Sequence, residues 1–278
     1  MNNPGSDALL QQVADSFAAT PDPRLREILA SLVRHLHGFI RETGLTEREW
    51  MQGIEFLTAV GQTCDDKRQE FILLSDVLGA SMQVVAVQSE RPAGCTESTV
   101  FGPFHVEGAS RIANGGDIAN GARGEPCTVF GSVRNSDGDP VADAEVDVWQ
   151  SDDDGLYDVQ RPGLPAAQGR GVLRTDAQGR FWFTSVVPVP YPIPTDGPVG
   201  RLLDASRRSA WRPAHLHVRI VAPGHDTLIT HVFRAGDPHL ESDPVFGVRP
   251  SLVSSWPGSA EGRRELRFDF VLHRHEAP

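Results

Sequence analysis

The 278-residue chain is short of cysteine, tyrosine, positive charge and long apolar runs, and each shortage closes off a class of protein. Its three cysteines, Cys64, Cys95 and Cys127, are odd in number and far apart. That suits neither a disulfide framework nor a Cys-x-x-Cys metal site, so they read as buried or inert thiols. Lys+Arg total 26 against Asp+Glu 37, a formal net charge of -11. Proteins that hold nucleic acid through its phosphates carry the opposite excess, which excludes that partner. No stretch approaches the ~20 apolar residues that cross a bilayer, and Met1 to Leu10 has no basic segment followed by an apolar run. The expectation is a cytoplasmic protein with no membrane span. Repeats with a period of roughly 20 to 50 residues are also missing. The length suffices for one large domain, or a core domain with a smaller companion, that buries its own core.

What is present falls into two textures. Leu25, Ile28, Leu29, Leu32, Leu36, Phe39 and Ile40 recur at helical spacing between Asp22, a capping residue followed by Pro23, and Gly44. Thr46 and Glu49 have capping-box spacing ahead of Trp50, Ile54, Leu57 and Val60, and a third apolar helix is expected from Glu70 to Val87. These helices hold more apolar positions than a small bundle needs, which points to a subunit interface. After Arg91, Pro92 and Gly94, short β-branched and aromatic runs alternate with Gly, Pro, Asp and Asn. Strands are expected at Cys127–Arg134, Ala144–Gln150, Arg180–Val186, Ala214–Val221, Thr227–Arg234 and Leu266–Leu272, with a turn at Asn135, Asp137 and Gly138. Strands do not alternate with long helices, so the fold class is mainly β: an antiparallel β-sandwich in residues 96–278 behind a helical segment in residues 1–95.

Two pairs of residues in the second half can carry chemistry. His215 and His217 stand two apart on an expected strand and project from one face, with Leu216 and Val218 on the other. Both imidazoles can reach one metal; equally, they can be solvated histidines on a polar sandwich face. The chain has two tyrosines, Tyr157 and Tyr191, against 13 phenylalanines, so tyrosine is kept where a hydroxyl matters. Both lie in Gly/Pro-rich loops that can present ligands, although each alone also fits an ordinary amphipathic surface residue. Two phenolates and two neutral imidazoles form a donor set that favours Fe(III) over Zn(II) or Cu(I). A free phenol ionises near pH ~10, so only a strongly Lewis-acidic ion holds both oxygens deprotonated at neutral pH.

Thr99-Val-Phe-Gly-Pro-Phe104, Gly155-Leu-Tyr157, Tyr191-Pro-Ile-Pro194, Trp211-Arg-Pro-Ala-His-Leu-His217 and Ala222-Pro-Gly-His225 follow one another along nearly the whole chain. In this order the segments resemble the intradiol ring-cleaving dioxygenases, non-haem Fe(III) enzymes that open catechols between their two hydroxyls. The resemblance implies one Fe(III) per chain held by Tyr157, Tyr191, His215 and His217, with one tyrosinate displaced when substrate binds. It implies a homodimer through the N-terminal helices, with a phospholipid in a tunnel at that interface.

Within the family, Leu73-Leu-Ser-Asp-Val-Leu-Gly79 and Asp243-Pro-Val-Phe-Gly-Val248 resemble the hydroxyquinol branch, whose substrate is benzene-1,2,4-triol. That likeness implies a ring pocket lined by Leu73, Asp76, Val100, Phe101, Gly102, Pro103, Phe104, Ile193, Pro194, Arg212 and Val245. Asp76 can accept a hydrogen bond from the third hydroxyl. Catechol-type relatives place Gln where this chain has His231, which is expected to orient an intermediate or bound water. Arg212 is expected to stabilise negative charge on the ring, and His105 departs from the aromatic expected after Phe104. The alternative substrates are catechol and chlorinated catechols, with O2 in every case. A cupin-type site fails on spacing, since Val218, Arg219 and Ile220 follow His217 where a carboxylate is needed. The rival of another class is a transthyretin-like module that binds a small molecule without chemistry.

Overall fold

The caps named in the sequence form where they stand. Asp22 Oδ1 accepts the backbone N–H groups of Arg24 (2.8 Å) and Leu25 (3.3 Å), which opens a helix at Pro23. Thr46 and Glu49 close a capping box, with Thr46 N–H to Glu49 Oε2 at 3.0 Å and Glu49 N–H to Thr46 Oγ1 at 3.3 Å. The computed structural model describes residues 4–65, 68–88, 92–260 and 262–274. The ends of the expected 1–95 and 96–278 segments, and Arg91 at the expected break, lie outside them.

The chain divides into two compact units, one ending at Ala59 and the other beginning at Val60. The first holds α1 (Pro4–Ser16), α2 (Pro23–Thr43) and most of α3 (Glu47–Thr63). α1 was not foreseen. No residue of α2 is buried, and its stripe of Leu25, Ile28, Leu32, Leu36 and Phe39 stays 45–57% exposed. An apolar stripe of that width, left open by its own chain, is the surplus that the periodicity announces.

In the second unit the single helix expected from Glu70 to Val87 is two: α4 (Glu70–Val77) and α5 (Ala80–Gln88), bent by 73°. Gly79, with φ +73, takes the left-handed conformation that ends α4, and its N–H bonds the Asp76 carbonyl at 3.0 Å. Apolar residues continue unbroken across the bend, which hid it. Among the described residues no single helix is long and apolar enough to cross a membrane; α4 and α5 meet that test only when joined as a bent pair.

The strands are β1 (Pro126–Asn135), β2 (Glu145–Gln150), β3 (Arg170–Arg174), β4 (Arg180–Val186), β5 (Tyr191–Pro192), β6 (Trp211–Arg212), β7 (His215–Val221), β8 (Leu228–Arg234), β9 (Val253–Ser254) and β10 (Arg264–Leu272). One sheet runs β10-β1-β4 and the other β3-β2-β7-β8-β9; β5 and β6 pair by themselves. Pairings are antiparallel except β1 with β10 and β8 with β9. The turn at Gly138, whose N–H bonds the Asn135 carbonyl at 3.0 Å, passes the chain from one sheet to the other instead of closing a hairpin.

Strand alternation sends Val129, Val133, Phe181, Phe183, Leu266 and Phe270 of one sheet against Val146, Val148, Leu216, Val218, Ile220 and Val232 of the other. The opposite face of the five-stranded sheet therefore receives Asp147, Trp149, His215, His217 and His231. β3, the two-residue strands β5, β6 and β9 and the helix α6 (Pro198–Ala205) were not foreseen because each is short. α6 begins under the carboxylate of Glu70, which accepts the Val199 N–H at 3.1 Å and joins α4 to it. Phe183 is fully buried in the sandwich core. Phe183→Ala is expected to lower unfolding free energy by about 3–5 kcal/mol in chemical denaturation; a loss under about 1 kcal/mol would mean that the ring is not enclosed.

Candidate metal centre

Register assembles the centre on the outer face of the five-stranded sheet. β7 runs between β2 and β8, so His217 lies opposite Trp149 on one side and His231 on the other. Alternation alone would leave these imidazoles in water. They are instead 1% exposed (His215, His217) and 0% exposed (His231), because loops close over the face. Those loops bring Tyr157, fully buried, and Tyr191 of β5, 5% exposed. The surface reading that remained open for each residue alone is thereby excluded.

The four candidate donor atoms converge. Tyr157 Oη lies 2.9 Å from His217 Nε2, 3.5 Å from His215 Nε2 and 3.2 Å from Tyr191 Oη. Tyr191 Oη is 3.5 Å from His215 Nε2, and the two Nε2 atoms are 3.1 Å apart. Donors bonded to one first-row cation at about 2.0–2.1 Å sit about 3.3 Å apart in a tetrahedron. The separations match that spacing. The His215 ring is fixed by Nδ1, which donates to the Pro213 carbonyl at 2.7 Å and leaves the Nε2 lone pair facing the cluster. His231 Nδ1 is hydrogen-bonded with Thr99 Oγ1, while His231 Nε2 and His217 Nδ1 are buried without a hydrogen-bond partner among the described residues.

Electrostatics of the protein alone suit neutral imidazoles and oppose free phenolates. Burial, reinforced by Arg212 and, for His217 and His231, by neighbouring histidines, holds His215, His217 and His231 well below the usual imidazole range. Neutral imidazole is the form that ligates metal. Burial, then the adjacent Tyr191, pushes the Tyr157 hydroxyl well above its usual range. Its ionisation therefore needs a cation at the cluster. Arg212, 3% exposed, lowers the Tyr157 hydroxyl without reversing that rise; burial works against its own charge, but Asp243 and the tyrosine oxygens outweigh that and keep it protonated. Its Nη1 is 3.5 Å from Tyr191 Oη and 3.3 Å from His215 Nε2.

Packing holds these groups in place. Trp149 stacks on His217 with ring centroids 4.7 Å apart, and Phe104 on Tyr157 at 4.4 Å. Gly102, at φ +77, lets the 99–105 loop pass so close that a Cβ there would sit 3.0 Å from His217 Cε1. The Tyr157 loop is pinned by the buried Arg170–Asp158 pair, with Arg170 Nη1 also donating to the Phe104 carbonyl at 3.0 Å. His105, the departure from the family pattern, is paired with Asp147 at 2.6 Å and lies edge-on to Trp149. Trp149 and Arg170 go unnoticed in the sequence, and Thr99 and Asp243 stand in the matching segments without a role. They sit apart from the ligand motifs and only the fold brings them in.

A cavity of about 210 Å³ lies beside the cluster, lined by Leu73, Asp76, Pro103, Phe104, Pro194 and by Arg68 to Glu70 among others. Five residues expected in the ring pocket therefore share one wall. Val100 and Val245 pack with Met82 in a separate apolar cluster, and Ile193 is buried. Phe101 does not line this cavity: it is 38% exposed and packs on His105 and Trp149. Burial raises the Asp76 carboxyl above the usual range, offset in part by Ser81 and Arg212.

Residues 100–274 match the family model described as Dioxygenase, and residues 22–96 the one described as Catechol dioxygenase N terminus. The chain belongs to the intradiol dioxygenase family. It is 61% identical to 6-chlorohydroxyquinol 1,2-dioxygenase of Cupriavidus pinatubonensis over 95% of this chain and 96% of that protein. Hydroxyquinol 1,2-dioxygenase of Nocardioides simplex is 52% identical, with 95% of this chain and 94% of that protein covered. The crystal structure of hydroxyquinol 1,2-dioxygenase from Pseudomonas putida superposes with a TM-score of 0.92 at 46% identity, covering 97% of this chain and 99% of that one.

The buried imidazoles give the iron-free dioxygenase a pH signature. His215, His217 and His231 are neutral when folded, but once unfolded they bind protons below the ordinary value of about 6.5. A folded pKa held below the unfolded one gives stability that is fully present above about pH 6.5. It is lost on acidification by up to about 1.4 kcal/mol per pH unit for each imidazole. Asp76 and Asp147, whose carboxyls burial raises, offset part of that loss. Denaturation of the iron-free protein should show a lower midpoint at about pH 5.5 than at about pH 7.5; equal midpoints would mean that the imidazoles are open to water.

Proposed function

We propose that the protein is a ferric intradiol dioxygenase that inserts both atoms of O2 into hydroxyquinol (benzene-1,2,4-triol). The product is 3-hydroxy-cis,cis-muconate, which tautomerises to maleylacetate. The observation that carries this reading is the convergence of two buried phenol oxygens and two buried imidazole nitrogens: Tyr157 Oη, His215 Nε2 and His217 Nε2 lie 2.9–3.5 Å from one another, and Tyr191 Oη lies 3.2 Å from Tyr157 Oη and 3.5 Å from His215 Nε2. Tyr157, Tyr191, His215 and His217 would hold one Fe(III) per chain, a hard ion suited to two anionic oxygens. When bound, the ion supplies Lewis acidity that lowers the pKa of adjacent ring hydroxyls and an acceptor for ring electron density.

The chain's own residues do the rest. Tyr191 Oη, beside Arg212, takes a proton from a ring hydroxyl. The Arg212 guanidinium, held dry and charged, stabilises negative charge that develops on the ring. His231 orients the bound ring or a water from the floor of the site. Leu73, Pro103, Phe104 and Pro194, which line the cavity, enclose the substrate. Asp76, buried in the wall of the cavity, accepts a hydrogen bond from the third hydroxyl. Named relatives that act on hydroxyquinol and 6-chlorohydroxyquinol support the triol over catechol. The uncovered apolar stripe of α2 supports a homodimer formed by residues 1–95, with a phospholipid at its interface, and a catalytic segment in residues 96–278.

The test is the visible spectrum and iron content of the purified protein, before and after anaerobic addition of hydroxyquinol. A burgundy protein with about one iron per chain, whose band shifts on binding, is expected. A protein colourless after iron loading would leave the non-catalytic binding module in front. Tyr157→Phe and Tyr191→Phe should each lose the wild-type colour and lower activity by at least about a hundredfold; a normal spectrum removes that residue from the ligand set. Asp76→Ala should lower kcat/KM for hydroxyquinol by about tenfold to a hundredfold, the worth of a buried hydrogen bond to a charged group, with a smaller effect on catechol. Equal losses on both substrates would free Asp76 from the third hydroxyl.

A further inference from the structure

Arg212 is a cation locked in a dry site, and Asp243 is the carboxylate hydrogen-bonded to it. Asp243 is 6% exposed; its Oδ1 lies 3.1 Å from Arg212 Nε and its Oδ2 3.5 Å from Arg212 Nη2. The same carboxylate organises the turn that follows it. Oδ1 accepts the Val245 N–H at 3.4 Å and Oδ2 the Gly247 N–H at 3.0 Å. Gly247 leaves no spare room: a Cβ there would stand 3.2 Å from Asp243 Oδ2 and 3.3 Å from Arg212 Nη2. Between them Phe246 adopts φ +57, a conformation a bulky side chain takes only when its surroundings impose it. Those surroundings include Arg208, whose guanidinium lies 4.9 Å from the Phe246 ring centroid and donates to the Pro244 carbonyl at 2.9 Å. Arg208 also donates to the Val77 carbonyl at the end of α4, at 2.6 Å. One turn thus ties α4, which carries Asp76, to the guanidinium beside the metal ligands.

We propose that Asp243 is a positioning residue that aims Arg212 at the Tyr191 side of the centre and cancels its resting charge. Arg212 Nη1 faces Tyr191 Oη while the Nε edge is held by Asp243, so the planar guanidinium has its orientation set from behind. With Asp243 in place the cation is balanced before substrate arrives, and Arg212 is free to answer charge that develops on the ring. Without it, the guanidinium loses the anchor on its Nε edge, and its charge stands without its hydrogen-bonded counter-ion 3.5 Å from Tyr191 Oη. The inference rests on the ferric dioxygenase reading above.

The experiment compares wild type, Asp243→Asn, Arg212→Gln and the double variant after ferric loading. It reads the visible band, kcat and KM for hydroxyquinol, and the thermal midpoint of each iron-free protein. Asp243→Asn should move the band to shorter wavelength and lower kcat by about tenfold or more, with KM changed by less than about threefold. The double variant should have the kcat of Arg212→Gln alone and an iron-free midpoint above that of Asp243→Asn, because no lone buried cation remains. A wild-type band and kcat in Asp243→Asn, or losses that add in the double variant, would overturn the inference. So would the failure of both Asp243 variants to fold, which would assign the carboxylate to the fold instead. A wild-type protein without a visible band overturns the ferric reading; the iron-free midpoints then decide the Arg212–Asp243 coupling by themselves.

Discussion

Desolvation of β7 is the constraint on which the rest of the structure depends. A central strand in a sandwich has a core face and an outer face, and β7 puts Leu216, Val218 and Ile220 on the first and His215 and His217 on the second. On an ordinary sandwich that second face is wet. Here it is drier than many cores, with both imidazoles at 1% exposure, because the 99–105 loop, the Tyr157 loop and the β5–β6 pair lie over it. Removing water costs polar groups several kcal/mol each unless they find partners. The donors find one another, at separations of 2.9–3.5 Å.

The covering loops therefore need their own anchors, and polar interactions supply them. Arg170 clamps Asp158 next to Tyr157, Asp152 accepts the Leu156 N–H at 3.1 Å, and Gln150 bonds the Val186 carbonyl at 2.6 Å. Exposed pairs of this kind contribute little, but buried ones fix geometry because breaking them strands a charge. Cys127, the one buried cysteine, shows the apolar counterpart: burial pushes its thiol up to about 12, and it serves as a small core residue.

The bend between α4 and α5 has a functional consequence. Turning the chain at Gly79 places Leu73 and Asp76 on the cavity beside the donors, while Met82 of α5 packs with Val100 and Val245. A straight helix over residues 70–87 could not serve both. The helical segment thus supplies a wall of the cavity as well as the exposed apolar stripe, and the role proposed for Asp76 would let that wall tell a triol from a diol by chemistry rather than by size.

Much of this was legible in the residues themselves. Helix caps at Asp22 and Thr46, six strands, and the His-x-His pair on one face follow from periodicities and cap chemistry that act within a few residues. The same holds for tyrosine, whose scarcity against phenylalanine marks hydroxyls that matter. What local sequence does not contain is distance across the chain. The pairing of Arg212 with Asp243, the stacking of Trp149 on His217, the hydrogen bond between Thr99 and His231 and the break at Gly79 depend on strand register and loop closure. Residue types and their local spacing mark out which atoms could bind a metal. The tertiary structure decided that they meet, dry and fixed, because only the packed fold can remove the water that would otherwise satisfy each of them separately.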